Sequence, residues 1–393
     1  MAAEMKRREL LRLMSMIGAF GVVPMSWGGV TAARNKVLVL LELNGGNDSL
    51  NTFVPLTQFD QYKVLRPKLH LQADERVKLD DEFALHNALS GLMPAWQDQD
   101  MALVHGLGYE QPNLSHFRSI EIWDTASKSD EYGEHGWLAS GATKKTKYGI
   151  DALVLGRNAG PVTGLGNTVL QAQGLLKGFV AKGRQLEFKK NSAPHNAAYA
   201  HLLATQNTLS AVAKDLLPIL RNTSAVKTPF PDTQLGKQLA EVALLINSGV
   251  DIPVYKVALS GFDTHRNQKA VHQRLLGVMG AAVSAFRQEM IRAGKWDDVV
   301  LMTYSEFGRR PKMNGSGGTD HGTAATHLVM GGKVKSGHIG EHPLLPVKDN
   351  ANMQFTTDFR MLYQTIIDQW FEQPDVRLAD GVEGKLPLFD KLS

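Results

Sequence analysis

Apolar runs of strand length recur along the chain, and most end in a small group of polar residues. Lys36 to Leu43 (KVLVLLEL) is apolar at nearly every position, the pattern of a strand covered on both faces in a parallel sheet. Met101 to Val104, Asp151 to Leu155, Thr168 to Leu170, Val254 to Ser260, Val299 to Met302 and Leu328 to Met330 repeat it. Helical spacing fills much of what lies between. Leu85, Leu89, Leu92 and Met93 predict a helix over Phe83 to Trp96. Leu202, Leu203, Leu209, Val212 and Leu216 predict another over His195 to Leu217, ended by Pro218. Leu235 to Ile246 is a third. His272, Leu275, Leu276, Met279, Val283 and Phe286 share one side of a fourth, and Thr357 to Trp370, begun by Asp358, closes the chain. Tyr62 to Leu71 reads as loop and helix. Strands alternating with helices predict an α/β protein with a doubly wound, mostly parallel sheet between helices.

One stretch organises the rest. From Val299 to Gly332 a buried strand stops at Thr303, Tyr304, Ser305 and Glu306, and a loop with Gly315, Gly317 and Gly318 delivers Asp320 and His321. A second apolar run then ends on Gly331 and Gly332. In open α/β sheets ligands sit at the carboxyl ends of strands, where such loops emerge.

The net charge of +4 over 393 residues is too mild and too dispersed for a nucleic-acid partner. The N-terminus is more telling. Lys6, Arg7 and Arg8 precede an apolar run, Leu10 to Val30, broken by glycines and Pro24, with a small-residue exit at Val30, Thr31 and Ala32. This predicts a secretory signal over 1–32 and no stable membrane span after cleavage. Arg7 and Arg8, followed by Glu9, Leu10 and Leu11, resemble the twin-arginine type. That resemblance implies the twin-arginine export machinery as a partner, a periplasmic or extracellular location, and a protein exported already folded, often around a metal or cofactor. The mature chain, 33–393, shows no internal repeat and no linker, so a single domain with a variable middle region at about 141–230 is expected.

No cysteine is present, so disulfides and thiolate ligands are excluded. Any metal must be held by His, Asp, Glu, Asn or hydroxyls. The strand-end candidates are Asn44 and Asp48, Asp263 and His265, Glu306, Asp320 and His321, and more weakly His105 and His327. Mixed oxygen and imidazole donors suit a divalent ion, zinc, manganese, magnesium or calcium. Arg118, Arg309 and Arg310 could grip phosphate or sulfate oxygens bidentately. Ser115 stands where a helix should begin, either as a plain N-cap or as a group presented to an anion at that helix end. Glu42, inside the first apolar run, needs a buried partner.

The segments ELNGGND, PNLSHFRSIEIWDTA, GFDTHRNQ, TYSEFGRR, NGSGGTDHGTAATHLVMGG and TTDFR resemble an exported bacterial family known only as domain of unknown function 1501. The resemblance spans essentially the whole mature chain. That family is similar in turn to the alkaline phosphatase and sulfatase superfamily, which implies an alkaline-phosphatase-like fold. It also implies metal-dependent hydrolysis of a phosphate or sulfate ester, on a small molecule or a glycan. By that resemblance Asn44 falls at the superfamily's first metal acid, with Asp48 four residues on. Ser115 falls at the nucleophile, Asp263 and His265 at the later Asp–His ligands, and His321, preceded by Asp320, at the last histidine. Ser305 and Glu306 occupy an acid–His position and depart from the pattern, as does Asn44. Arg118 follows Ser115 by three residues without the proline of a sulfatase signature. The alternative is a non-catalytic periplasmic or surface protein whose altered site binds an anionic glycan or a partner protein.

Overall fold

The computed structural model describes residues 36–139, 150–164, 168–183, 212–346, 351–378 and 384–390. The expected signal over 1–32 lies outside these residues, as do much of the expected variable region and most of the expected helix from His195.

The apolar runs form one sheet. Its strands are β1 (Val37–Asn44), β2 (Met101–Gly108), β3 (Ala152–Leu155), β4 (Val169–Ala172), β5 (Val254–Ser260) and β6 (Val299–Tyr304), all parallel to one another. After β6 the chain makes a separate two-stranded antiparallel ribbon, β7 (Gly308–Met313) and β8 (Thr319–Gly322). It then returns through β9 (Ala325–Met330), which is antiparallel to both β2 and β6. Two short strands, β10 (Gly337–Ile339) and β11 (Thr357–Asp358), pair with the outer side of β2. The spatial order is β10-β2-β9-β6-β1-β5-β3-β4. Mostly parallel pairing and a central β1 follow from the continuous apolar runs, which only a strand covered on both faces can bury.

Period-2 alternation assigns the two faces. Val37, Val39, Leu41 and Leu43 of β1 join one core, which is covered by α2 (Gln234–Asn247) and α3 (Gln268–Arg292). Leu38 and Leu40 join the other, covered by α1 (His116–Thr125) and α4 (Phe359–Thr365). The six apolar or His positions predicted for one side of α3 are all buried. Asp358 caps α4 by accepting from the Arg360 amide at 2.9 Å. Glu42 finds its partner on the α1 side, where Lys256 Nζ lies 2.5 Å away.

Three expectations change. Phe83 to Trp96 is not one helix: Phe83–His86 is a strand between Phe53–Pro55 and Arg76–Lys78, followed by a 3-10 turn and a short helix over Met93–Gln97. Sandwiching between two strands favours extended backbone there over the helical period. Pro218 does not end its helix, which runs over 212–221 and closes with the Asn222 amide on the Pro218 carbonyl at 3.2 Å. The glycine-rich stretch before Asp320 is the turn of the β7–β8 ribbon and not a bare loop.

Parallel pairing brings the carboxyl ends of β1, β5 and β6 to one edge, side by side, and the ribbon folds back over that edge.

Candidate metal centre

The turn after β1 and the turn after β5 touch at the backbone. Gly45, at φ +118°, allows it, since a Cβ there would stand 2.4 Å from the Asp263 amide nitrogen. Gly318 plays the same part for the ribbon: a Cβ would meet the Thr264 carbonyl oxygen at 2.3 Å. Close approach at these glycines sets Asp263, His265, Asp320 and His321 around one point. Helix α1 adds its first residue, His116.

The donor atoms then converge. Asp263 Oδ1 lies 3.0 Å from His265 Nε2 and 3.2 Å from His321 Nε2, and Asp263 Oδ2 lies 3.5 Å from His116 Nε2. His265 Nε2 and His321 Nε2 are 3.0 Å apart. Ligand atoms of His116, Asp263 and His321 all fall within 4.8 Å of one another. Tetrahedral bonds of about 2.0–2.1 Å would place donors roughly 3.3–3.4 Å apart. The observed spacings bracket that value.

The far nitrogens explain which way the ring protons point. His321 Nδ1 faces the Leu114 carbonyl at 2.8 Å, His116 Nδ1 faces Glu306 Oε1 at 2.9 Å, and His265 Nδ1 faces Asp320 Oδ1 at 3.3 Å. A carbonyl or carboxylate oxygen only accepts, so the tautomer with its hydrogen on Nδ1 satisfies each of these outer partners and is the one that would leave Nε2 free for an ion. In that tautomer each Nε2 is a lone pair directed at Asp263 and its neighbours. Lone pairs on two imidazoles 3.0 Å apart, and on a carboxylate equally close, repel unless a cation lies among them. Carboxylate- or carbonyl-held histidines are the usual support of metal-ligating rings. The residues present therefore fit a divalent ion.

Electrostatics agree. Burial alone would raise the Asp263 carboxyl, but the Arg309 hydrogen bond at 2.8 Å is the foremost influence pulling it down to about 2. Partial burial pushes the His321 imidazole below its ordinary value, against the opposing pull of the Leu114 carbonyl and Asp263, which favours the neutral ring.

The other expected residues take different places. Asp48 is buried 2.6 Å from Arg66 Nη1 and also accepts from the Gln268 amide, so its charge is answered by a guanidinium away from the imidazoles. Burial would raise its carboxyl, yet Arg66 holds it below the usual range. Asn44 is exposed and donates to Glu42 Oε1 at 3.0 Å. Glu306 accepts from the Gly45 amide through both oxygens, at 2.9 and 3.0 Å, and reaches the centre only through His116. Asp320 likewise acts through His265 and accepts from Asn314 at 3.1 Å. Arg309 is buried and spent on protein oxygens, including the Gly46, Phe262 and Thr319 carbonyls at 2.7, 3.0 and 2.9 Å. Arg118 is turned to the 128–131 backbone, where Nη2 donates to three carbonyls, and its guanidinium lies over the Tyr132 ring. It does not join the Asp263 group, because those carbonyls and Glu121, 2.8 Å away, already hold it. Ser115 is the N-cap of α1 by position, but its hydroxyl makes no capping hydrogen bond and is exposed. Its neighbours on both sides, the Leu114 carbonyl and His116, contact the centre.

His116 is the residue that sequence reasoning missed. It stands inside the PNLSHFR segment, directly after Ser115, and a histidine at the first position of a helix that follows a strand end was the available signal.

Comparisons with known proteins add the following. The chain is similar, at 10% identity and a TM-score of 0.38, to the phosphonate monoester hydrolase SpPMH from Silicibacter pomeroyi, over 89% of this chain and 75% of that one. It is similar to the lipoteichoic acid synthase LtaP from Listeria monocytogenes at 10% identity and a TM-score of 0.32, over 88% and 80%. The C-terminal periplasmic domain of EcEptC from Escherichia coli, in complex with Zn, gives 8% and 0.34, over 78% and 77%. Such scores are low, and the reading of the site rests on its own side chains. No curated protein matches the chain. A family model described as "Protein of unknown function (DUF1501)" matches residues 168–375, more than half of the sequence, and the chain belongs to that family.

Proposed function

We propose that this protein is an exported, metal-dependent hydrolase of phosphate or sulfate esters. The carrying observation is the convergence of three imidazole Nε2 atoms on Asp263, each ring held at Nδ1 by an acceptor. Three nitrogens and one carboxylate suit zinc or a neighbouring first-row ion better than magnesium or calcium, which favour oxygen. Bound there, a divalent ion supplies a Lewis acid that polarises an ester oxygen.

The chain's own groups do the rest. Arg309 fixes Asp263 through Oδ1, which leaves Oδ2 directed at His116. Glu306 holds the His116 ring proton and ties that ring to the turn after β1. Ser115, uncapped and exposed at the start of a ten-residue helix and flanked by the Leu114 carbonyl and His116, is the residue assigned to nucleophilic attack on phosphorus or sulfur. Among the described residues no helix is long and apolar enough to cross a membrane.

The test pairs metal content with turnover. Zinc- or manganese-loaded protein should hydrolyse aryl phosphate or sulfate esters and lose activity to a chelator. Ser115→Ala should lower turnover by at least about 10³-fold, the scale of losing an activated nucleophile, with metal content and melting temperature nearly unchanged. A loaded protein that turns over no ester would leave the binding-protein reading in its place.

A further inference from the structure

The start of α1 gives the centre two groups, the Leu114 carbonyl behind His321 and the His116 ring, with Ser115 between them. The helix alone does not fix them, because the N–H groups of a first turn have no partner within the helix. Asn113 Oδ1 accepts from the Ser115 amide at 2.9 Å, but that bond lies inside the turn and shapes it without placing it.

Placement comes from Tyr109, the first residue after β2. Its ring is 3% exposed and packs edge-on to Phe359 at 5.7 Å, and Phe359 stacks in turn on Trp123 of α1 at 4.3 Å. The Tyr109 hydroxyl accepts from the Asn113 amide at 3.1 Å and lies 3.1 Å from Ser119 Oγ. The Asn113 carbonyl is farther away, at 3.3 Å. Ser119 is buried one turn into α1, where its amide donates to the Ser115 carbonyl at 2.8 Å and its hydroxyl donates to the Glu306 carbonyl.

Counting hydrogens gives this chain a direction. A serine hydroxyl has one hydrogen, and that of Ser119 goes to Glu306, so toward Tyr109 it accepts. The run from the Asn113 amide through Tyr109 and Ser119 to the Glu306 carbonyl then uses each hydroxyl once as acceptor and once as donor. It ties the turn before α1 to the body of that helix and to the end of β6, where Glu306 holds His116. The same turn contains Gln111 at φ +50°, a left-handed conformation that a non-glycine residue keeps only when its surroundings require it. Released from the chain, the turn would relax.

We infer that Tyr109 is a positioning residue of the centre, whose hydroxyl sets where α1 begins and so places the Leu114 carbonyl and the His116 ring. The inference rests on the metal-centre reading and not on turnover of any ester.

The experiment measures the ion and the fold separately on the full chain. Zinc affinity is taken by competition with a chromophoric chelator, the visible bands of cobalt-loaded protein report ligand geometry, and melting temperature is read on metal-free protein. Tyr109→Phe keeps the ring packed on Phe359 and removes only the hydroxyl. It should weaken zinc binding about ten-fold, the lower end of the usual scale for groups that support ligands from behind, and change the cobalt bands. Ser119→Ala cuts the same chain from α1 and should do likewise. The double variant should lose little more than either single one, because both break one connection. Tyr363→Phe is the control: it deletes a buried hydroxyl with no hydrogen-bond partner from the same core and should leave zinc and cobalt readings as they are. Wild-type zinc affinity and cobalt bands in Tyr109→Phe, or in Ser119→Ala should the first not fold, overturn the inference and leave Tyr109 a core residue, whatever the melting temperature. A wild-type protein that binds neither ion removes the metal centre and the inference together. Zinc binding that both variants weaken, with no ester turned over even by the wild type, upholds the inference and removes the hydrolase.

Discussion

Two groups of histidines lie on this sheet, and they are built on opposite plans. At the carboxyl ends of β1, β5 and β6, His116, His265 and His321 each give Nδ1 to an outward acceptor and aim Nε2 inward, beside Asp263. Around β2 the rings are connected in series. Asp80 Oδ2 meets His338 Nε2 at 2.8 Å, His338 Nδ1 meets His105 Nε2 at 2.8 Å, and His105 Nδ1 meets Thr326 Oγ1 at 3.0 Å. In the series each of these two rings uses both nitrogens on the protein, so no lone pair is left over. Phe83 stacks on His105 at 4.7 Å and closes the group from above. Histidines in proximity are therefore not a metal site by count; what matters is whether free nitrogens converge. His327, the other weak sequence candidate, is buried beside Trp123, and burial lowers its imidazole to about 3.

The largest expected difference between the two plans is in metal content. His265→Ala or His321→Ala should lower metal affinity by about 10³-fold or more, since each removes an imidazole that would hold the ion. His105→Ala and His338→Ala should leave stoichiometry and affinity intact. Elemental analysis after dialysis checks both, and loss of metal in His338→Ala to the extent seen in His321→Ala would break the distinction.

A second contrast is between two carboxylates of the same edge, Asp263 and Asp48. Asp48→Asn leaves the fully buried Arg66 guanidinium without its counter-charge and should cost about 3–5 kcal/mol in urea unfolding. Metal content should not change. Asp263→Asn should do the reverse, costing less stability because the group is half exposed and nearly all of the ion.

Much of this was readable in the sequence. The strands were, because a run such as KVLVLLEL can be satisfied only between two covered faces. The pairs Asp263–His265 and Asp320–His321 were, because acids and imidazoles just past strand ends are a local signal. What could not be read is the direction of each side chain. Nothing in the string distinguishes an aspartate aimed at an ion from one aimed at Arg66, which lies eighteen residues away from Asp48 and beyond a helix. Arg309 looked like an anion grip because arginines after a strand often are; in the structure it ties three turns together. Phe83 to Trp96 carried both periods at once, and the choice was made by pairing partners that local spacing does not contain.

The acceptors behind the histidines offer a finer probe of the convergent plan. Asp320→Asn keeps an oxygen within reach of His265 but removes its charge, and should weaken metal binding by about 10–100-fold, the usual scale for such supports. Competition with a chromophoric chelator measures it. An unchanged affinity would show that His265 takes its orientation from elsewhere.

The serial plan can be tested by acid, and here the effect per step is smallest. Burial, with the neighbouring His342 and His338, lowers the His105 imidazole to about 2, and burial lowers His342 to about 4. In the unfolded chain these rings return to the ordinary value of roughly 6.5. The folded state therefore holds them neutral, and the unfolded state binds the extra protons. Stability is fully present above about pH 6.5 and falls as pH drops below it toward the folded values. Each such ring contributes a slope of about 1.4 kcal/mol per pH unit in that window. Urea unfolding between pH 7 and pH 5, on metal-free protein so that the ion centre does not enter, should show the decline. His105→Gln should remove about one proton's worth of that slope, because glutamine can still bond to Thr326 and His338 but does not titrate. A slope identical in the variant would mean that His105 is already protonated in the fold, and the serial hydrogen-bond chain would have to be drawn the other way round.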